Sequence, residues 1–117
     1  MPDTRLGNYL LTIWIPTFRR PEQLKRLLKN IAETRIADLA HIVISDNDPE
    51  GHLAFAVEAG EADLPANVCY RCNAANLSAG VNFLRAFEHC STPWLMIVGD
   101  DDLFRFGAAH QITELIA

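Results

Sequence analysis

The sequence predicts an α/β protein, a Rossmann-like three-layer α/β/α sandwich in which helices cover both faces of a mostly parallel sheet. Two observations predict this fold: short apolar, β-branched runs alternate with amphipathic segments, and clusters of polar turn formers follow several of the runs. Strands that alternate with helices form parallel sheets whose crossover helices lie on the sheet faces. A chain of 117 residues has room for one hydrophobic core, so residues 1–117 are predicted to form a single domain.

The first strand and the first helix have the clearest patterns. Leu10–Ile15 is an apolar, β-branched run, and we expect Pro16 to end it because proline has no N–H to donate to a sheet. Pro21 fits the first turn of a helix. The apolar residues that follow it have the i, i+3, i+4, i+7 spacing of one buried helix face, and they are Leu24, Leu27, Leu28 and Ile31.

The other elements are predicted in alternation from the same kinds of pattern. The strands are His41–Ser45, Val68–Cys72 and Trp94–Val98, and the helices are His52–Ala59, a helix capped by Ser78 that runs to about His89, and Phe104–Ala117. The helix after Ser78 is expected to bury Val81, Leu84 and Phe87. Because the chain stops within or just after its last predicted helix, we expect either a truncated protein or a naturally short one.

Composition excludes several classes of function. The net charge of −5 is unsuited to a nucleic-acid surface, which needs clustered Lys and Arg, so no nucleic-acid partner is expected. No apolar run approaches the roughly 20 residues that span a bilayer, and the N-terminus lacks a secretory pattern. A cytoplasmic setting, including the cytoplasmic face of a membrane, is therefore expected, and the odd count of three cysteines fits it.

Two of these cysteines, Cys69 and Cys72, form a C-x-x-C inside the predicted third strand. Residues at an odd separation in a strand point to opposite faces of the sheet. A redox pair normally opens a helix, and a zinc site needs two more ligands at suitable spacing. Burial or half-burial in the strand is therefore favoured over a redox or metal function.

Three polar clusters follow predicted strands and contain the candidate site residues. They are Pro16-Thr17-Phe18-Arg19-Arg20, Asp46-Asn47-Asp48 and Gly99-Asp100-Asp101-Asp102. In parallel sheets, ligands bind outside the carboxyl ends of the strands. We therefore expect these clusters, which are far apart in the sequence, to converge at one edge of the sheet.

The three adjacent aspartates repel each other, and a hard divalent cation relieves that repulsion because it prefers carboxylate and water oxygens. A cation that keeps open positions can bridge the protein to a diphosphate. The alternative is a solvated turn that caps the following helix. Asp46 and Asp48 either accept hydrogen bonds from a nucleobase or ribose or form a turn before Pro49. Arg19 and Arg20 either face the phosphates or stack near the base, or they lie in a solvated first turn.

Four segments, in order, resemble glycosyltransferase family 2. The opening L-T-I-W-I-P-T-F-R-R-P is similar to the family's V-x-I-P-T-Y-N-R-P, and I-V-I-S-D-N-D is similar to its V-V-D-N-x-S. The segment N-L-S-A-G-V-N resembles N-x-G-x-x-x-N, and V-G-D-D-D resembles the strand and turn of the D-x-D motif. The resemblance covers essentially the whole chain.

This resemblance implies a GT-A fold that binds a nucleoside-diphosphate sugar of the UDP or dTDP type through Mn²⁺ or Mg²⁺. The implied nucleotide-sugar-binding residues are Pro16, Thr17, Arg19, Arg20, Asp46, Asp48, Asn82 and Asp100, with Asp46 at the nucleobase. The implied metal ligands are Asp101 and Asp102, Asp101 above all. The transfer would displace a nucleoside diphosphate from the anomeric carbon of the sugar.

The chain departs from the family pattern in three ways. Gly99 stands where many relatives have the first aspartate of the motif, and Ser78 replaces a glycine. The family also continues past this turn into an acceptor-binding region that contains the catalytic base, so no catalytic residue is assigned and the fragment alone is expected not to turn over. The alternatives are a non-catalytic GT-A-like module that binds a partner or forms homo-oligomers, and an acidic-pocket domain such as a receiver or phosphatase. Receiver and phosphatase domains place their working aspartate after the first strand, where this chain has Pro16-Thr17-Phe18.

Overall fold

The computed structural model describes residues 9–50 and 67–116, which form a parallel α/β fold. The strands are β1 (Leu11–Thr17), β2 (Ala40–Asp46), β3 (Val68–Cys72) and β4 (Trp94–Ile97), in the spatial order β3-β2-β1-β4. The helices are α1 (Pro21–Glu33), α2 (Ala79–His89) and α3 (Ala108–Ile116), and a short 3₁₀ helix spans Ile36–Asp38. The helix predicted at His52–Ala59 lies outside the described residues.

The sheet register aligns the carboxyl ends of the strands. β1 pairs in parallel with β2 from Leu11 opposite Ala40 to Thr17 opposite Asp46. β1 also pairs in parallel with β4, up to Trp14 opposite Ile97. The polar clusters that follow β1, β2 and β4 therefore leave the sheet at the same edge, as parallel pairing predicts.

The strand β1 continues through Pro16, so the prediction that Pro16 ends it is wrong. The carbonyl of Trp14 accepts a hydrogen bond of 3.0 Å from the N–H of Val98, on the β4 side. Backbone groups two residues apart point to the same side of a strand, so Pro16 also faces the β4 side, beyond the last pair of β1 with β4. Its missing N–H therefore removes no ladder hydrogen bond.

Helices pack on both faces of the sheet, which confirms the three-layer prediction. On one face, Ile13 and Ile15 of β1 lie in a cluster with Leu27 of α1 and Ile112 of α3. On the other face, Trp14 and Val43 pack with Ala86 of α2. Alternate residues of each strand supply the two clusters, because successive side chains point to opposite faces.

Helix α1 buries the four residues that its periodicity predicts. Leu24, Leu27, Leu28 and Ile31 are the buried residues of the helix. Pro21 is in its first turn, where a missing N–H is not needed for a helical hydrogen bond. Each of these features is set by residues within a few positions of one another.

Helix α2 begins after Ser78 as predicted, but it buries a different face. The hydroxyl of Ser78 accepts a hydrogen bond of 3.2 Å from the N–H of Val81. Val81, Leu84 and Phe87 are 45%, 59% and 63% exposed, so the prediction that they are buried is wrong. The buried residues are Asn82 and Ala86, because hydrogen bonds from Asn82 to the end of β2 fix the rotation of the helix.

The last helix begins at Ala108 rather than at Phe104. The Asn30 side chain of α1 holds Phe104 in a non-helical conformation: its Oδ1 accepts from the Phe104 N–H at 2.6 Å, and its Nδ2 donates to the Phe104 carbonyl at 2.9 Å. Gly107, with φ of 91°, then turns the chain into α3. The prediction of a helix from Phe104 is wrong because a contact 74 positions away in the sequence overrides the local pattern.

The two outer strands, β3 and β4, are more exposed than their apolar sequences predict. Cys69 and Cys72 lie on the outer strand β3, and both are exposed, free thiols. The prediction that they are buried or half-buried is therefore wrong. β4 ends at Ile97, and its residues are half-buried except for Trp94, which is 50% exposed. An edge strand in the described sheet packs against fewer neighbours than a central one, which accounts for both differences.

Candidate functional site

A pocket of about 380 Å³ lies at the carboxyl edge of the sheet. Its walls come from the end of β1, the residue after β2, the first turns of α2 and the acidic turn after β4. The lining residues are Pro16, Thr17, Phe18, Arg20, Asn47, Ala79, Asn82, Phe83 and Asp100. Pockets of a few hundred Å³ that combine apolar walls with a few polar groups are typical of small-molecule sites.

The contacts of Asp100 join the acidic turn to the end of β1. The Thr17 hydroxyl donates a hydrogen bond of 2.8 Å to Asp100 Oδ2. Arg20 Nη1 lies 3.6 Å from Asp100 Oδ1. Because Asp100 is only 7% exposed, its charge needs these partners, since a buried carboxylate without them is strongly destabilising. The same contacts place the positively charged guanidinium of Arg20 next to the Asp100 carboxylate at the pocket.

Arg19 is not among the residues that line the pocket. Its Nε is 3.4 Å from Asp48 Oδ2, and its Nη2 is 3.9 Å from Glu50 Oε2. Its guanidinium carbon also stands 5.0 Å from the centre of the Phe18 ring, within cation–π range. Arg19 therefore connects the loop after β1 to the loop after β2.

Asp46 is fully buried and is not part of the pocket lining. The Tyr70 hydroxyl donates a hydrogen bond to Asp46 Oδ2, and the Asp48 N–H donates to Asp46 Oδ1 at 3.0 Å. Sequence reasoning missed Tyr70. The reason is that its proximity to Asp46 depends on strand register: Tyr70 pairs with Ile44, and Asp46, two residues further along β2, points to the same face.

Buried amide side chains, two of which line the pocket, form a hydrogen-bond network. Asn82 Oδ1 accepts from the Ser45 hydroxyl at 2.6 Å and from Asn73 Nδ2 at 3.1 Å. Asn47 Oδ1 accepts from Asn73 Nδ2 at 3.0 Å and from the Leu77 N–H at 2.9 Å. Asn82 and Asn47 thus hold the loop before α2 against the end of β2. The roles of Asn47 and Asn73 were missed because single asparagines in loops have no periodic signal.

The thiol of Cys72 is next to this region. Its Sγ lies 2.9 Å from the carbonyl oxygen of Asp48. Desolvation by the surrounding protein raises the pKa of the Cys72 thiol, and the charges of Asp46 and Asp48 raise it further. A thiol with a raised pKa is less often deprotonated near neutral pH and is therefore a weaker nucleophile.

Asp101 and Asp102 are exposed, and they flank Gly99 beside the pocket. Asp102 Oδ2 accepts a hydrogen bond of 3.0 Å from the Gly99 N–H. A Cβ atom added to Gly99 would lie 3.0 Å from Asp102 Oδ2 and 3.2 Å from Asp101 Oδ1. Both carboxylates therefore approach the space beside the Gly99 Cα, and a larger residue at this position would require them to move by a few tenths of an ångström.

This donor set fits a hard divalent cation. Two solvent-facing carboxylates that approach one point supply the oxygen ligands that Mg²⁺ and Mn²⁺ prefer, and they leave other positions to water or phosphate. Within residues 9–50 and 67–116 there is no group of three or more His, Cys, Asp or Glu side chains that could hold a metal. An all-protein metal cage is therefore not present in the described part of the chain.

The structure divides the sequence-predicted residues into three groups according to their position relative to the pocket. Those that line the pocket are Pro16, Thr17, Arg20, Asn82 and Asp100. Arg19, Asp46 and Asp48 lie outside its lining, and Asp101 and Asp102 are on the adjoining acidic turn. Phe83 and Ala79 also line the pocket, and sequence reasoning missed both. The available signal was the Ser78 cap, which places the first turns of α2 at the carboxyl edge.

Comparisons with known proteins place these features in context. The family model described as glycosyl transferase family 2 matches residues 12–117. A crystal structure of S. aureus TarS 1-349 has a TM-score of 0.70 and 16% sequence identity to this chain. That match covers 91% of this chain and 32% of the other, so the chain spans about a third of the length of that structure. At this identity, the likeness shows the fold alone.

No match was found among curated proteins. Among the described helices, none has both the length and the apolarity that crossing a membrane requires.

Proposed function

Because the chain belongs to glycosyltransferase family 2 and has a GT-A, Rossmann-like fold, we propose that its pocket binds the nucleotide of a nucleoside-diphosphate sugar. Members of this family generally use nucleotide-sugar donors. Glycosyl transfer by the whole protein, with a UDP- or dTDP-type donor, is part of the same proposal.

The observation that carries the proposal is the Thr17–Asp100–Arg20 group at the pocket. The Arg20 side chain is 54% exposed, so its guanidinium can also bind phosphate oxygens, for which its planar fork is suited. The Asp100 carboxylate can accept hydrogen bonds from ribose hydroxyls. The aromatic rings of Phe18 and Phe83 give the pocket apolar walls against which a base can pack.

Asp46 and Asp48 take a supporting role in this proposal. Asp46 is tied to Tyr70 and to the Asp48 backbone, and Asp48 is tied to Arg19. Both carboxylates are almost fully buried. They would hold the two loops in place, while Arg20 and Asp100 contact the ligand.

We further propose that Asp101 and Asp102 hold a divalent cation, Mn²⁺ or Mg²⁺. Their carboxylates approach the same space beside Gly99, next to the pocket wall formed by Asp100. When bound, such a cation neutralises the negative charge of a diphosphate and so stabilises it as a leaving group. Arg20 would add a positive charge on the β1 side of the pocket.

Thermal unfolding tests this proposal. UDP or dTDP with Mn²⁺ is expected to raise the melting temperature, because a ligand that binds only the folded state stabilises it by about 2.7 kcal/mol at a hundredfold excess over its Kd. Asp101→Ala is expected to abolish the part of the gain that depends on Mn²⁺. Glu114→Ala is the matched control, since Glu114 is an exposed acid on α3 that pairs with His110. Absence of stabilisation by every nucleoside diphosphate with metal would refute the proposal.

A second candidate is a non-catalytic module that self-associates. The exposure of Val81, Leu84, Phe87 and Trp94 favours it, because exposed apolar groups of this kind often mark interfaces. Light scattering after size-exclusion chromatography, combined with a nucleotide titration, separates the two candidates. A dimer that binds no nucleotide supports the module, and a nucleotide-binding monomer contradicts it.

A further inference from the structure

We propose that Arg19 is a positioning residue whose left-handed backbone conformation aims Phe18 and Arg20 into the pocket. In this proposal its guanidinium fastens the turn to the loop after β2 and makes no contact with the ligand. The inference rests on the proposed function, because it concerns how the nucleotide pocket is formed. It assigns Arg19 a role different from the phosphate or base contact expected from the sequence.

The backbone of Arg19 provides the first argument. Its φ is 53°, a region that L-residues other than Asn, Asp and Gly rarely adopt. The chain leaves β1 at Thr17 and begins α1 at Pro21, so the change of direction falls on the residues between them. Phe18 and Arg20, on either side of Arg19, both line the pocket, and Arg19 does not.

The contacts of the Arg19 side chain provide the second argument. Its guanidinium lies between Asp48 at 3.4 Å and Glu50 at 3.9 Å, and it covers the Phe18 ring at 5.0 Å. The Asp48 side chain is 1% exposed, and its Oδ1 also accepts from the Glu50 N–H at 3.0 Å. The acceptor of this pair is therefore buried and fixed in orientation, whereas both partners of a surface ion pair are mobile. The strained conformation is therefore held by contacts made outside the pocket, as strain at functional sites requires.

Arg35 offers a matched control within the same chain. It is the other non-glycine residue with positive φ in the described part of the chain, at 66°. It also pairs with an aspartate, with Nε 2.6 Å from Asp38 Oδ2. It precedes the 3₁₀ helix and does not line the pocket. A substitution at Arg35 thus perturbs the same kind of backbone and ion pair without affecting the pocket.

The test compares substitutions that all remove the guanidinium but differ in how readily they adopt positive φ. Asparagine adopts this region readily, alanine less so, and β-branched valine hardly at all. The Kd for UDP with Mn²⁺ is measured by calorimetry. Arg19→Asn is expected to stay within about threefold of the wild type, and Arg19→Val to bind at least about tenfold more weakly. Arg19→Ala is expected between the two, and Arg35→Val is expected to lower the melting temperature with an unchanged Kd.

Equal affinities of Arg19→Val and Arg19→Asn for UDP would overturn the inference. Equal losses of UDP affinity in Arg19→Val and Arg35→Val would also overturn it. If Arg19→Val does not fold, Arg19→Thr replaces it. If the wild type binds no nucleoside diphosphate, the proposed function fails, and NMR spectra then test the inference separately. The Arg20 side-chain N–H and Phe18 ring signals should shift further in Arg19→Val than in Arg19→Asn, which loses the same guanidinium, and should not shift in Arg35→Val. Signals that stay in place would overturn the inference.

Discussion

The hydrogen bond between Thr17 and Asp100 gives the sharpest prediction. Thr17→Val replaces the hydroxyl with a methyl group of nearly the same shape, so the packing at the end of β1 is kept and the donor is lost. Thr17 is 4% exposed and Asp100 is 7% exposed, so most of the surface of both side chains is shielded from solvent. Among the described residues, the contact that Asp100 then keeps is the one with Arg20 Nη1 at 3.6 Å.

The size of the effect follows from the charge on the acceptor. A hydrogen bond to a charged group contributes about 1.5–3 kcal/mol to folding, and one between neutral groups about 0.5–1.5 kcal/mol. At 2.8 Å and buried, the Thr17–Asp100 bond belongs to the first class. We expect Thr17→Val to lower the free energy of unfolding by about 2 kcal/mol and the melting temperature by roughly 8 °C.

Thr12→Val is the matched control. Thr12 is on the same strand and is 1% exposed, and its hydroxyl bonds to the neutral hydroxyl of Thr92 at 2.7 Å. Urea unfolding followed by circular dichroism measures both variants. We expect a loss of about 1 kcal/mol for Thr12→Val. Only Thr17→Val is expected to weaken nucleotide binding, because Thr12 is not in the pocket lining.

The comparison can refute this reasoning in two ways. If Thr17→Val costs no more than Thr12→Val, the charge of Asp100 adds nothing to the bond. If Thr17→Val costs as much in an Asp100→Asn background as in the wild type, the double-mutant cycle shows no coupling between the two side chains. Either result would also weaken the claim that Asp100 is held at the pocket by β1.

Three other substitutions test the amide network, the acidic turn and the stacked histidine. Asn82→Ala leaves the Ser45 hydroxyl without its acceptor and is expected to cost about 2–3 kcal/mol in urea unfolding; a loss under about 0.5 kcal/mol would contradict the network. Gly99→Ala places a Cβ atom 3.0 Å from Asp102 Oδ2 and should reduce the Mn²⁺-dependent gain in melting temperature; an unchanged gain would count against a metal site there. His89 stacks on Trp14, and partial burial lowers its pKa below 6.5, with nearby arginines adding to the effect. Since the folded state favours neutral His89, its contribution is present above pH 6.5 and is lost as pH falls through the lowered pKa. Stability measured from about pH 7 to 5 should therefore fall less in His89→Gln than in the wild type, and identical pH profiles would contradict this.

The sequence predicted those parts of the fold that depend on neighbours along the chain. Helix α1 buries the four residues of its periodic face, and β3 has the predicted bounds. The Ser78 cap also lies where the sequence places it. Periodicity and capping act within one or two turns, so they can be recognised from a short stretch of residues. The alternation of elements then predicted the parallel sheet and the edge at which the polar clusters meet.

Contacts between distant residues decided the rest. Helix α2 looks amphipathic with Val81, Leu84 and Phe87 inside, yet the bonds of Asn82 to Ser45, 37 positions away, turn that face outward. The start of α3 is displaced by Asn30 in the same way. Periodicity identifies an apolar face. It does not show whether burying that face stabilises the fold more than a buried hydrogen bond to another element does.

The candidate site shows the same division. The sequence determined that a polar cluster follows each of three strands, because residue type and position along a strand are local properties. Only the tertiary structure decided which of those residues share the pocket: Thr17 meets Asp100 across 83 positions, while Asp46 is buried against Tyr70. Which face a loop side chain points to depends on partners brought close by the sheet register, and that register is a property of the folded chain.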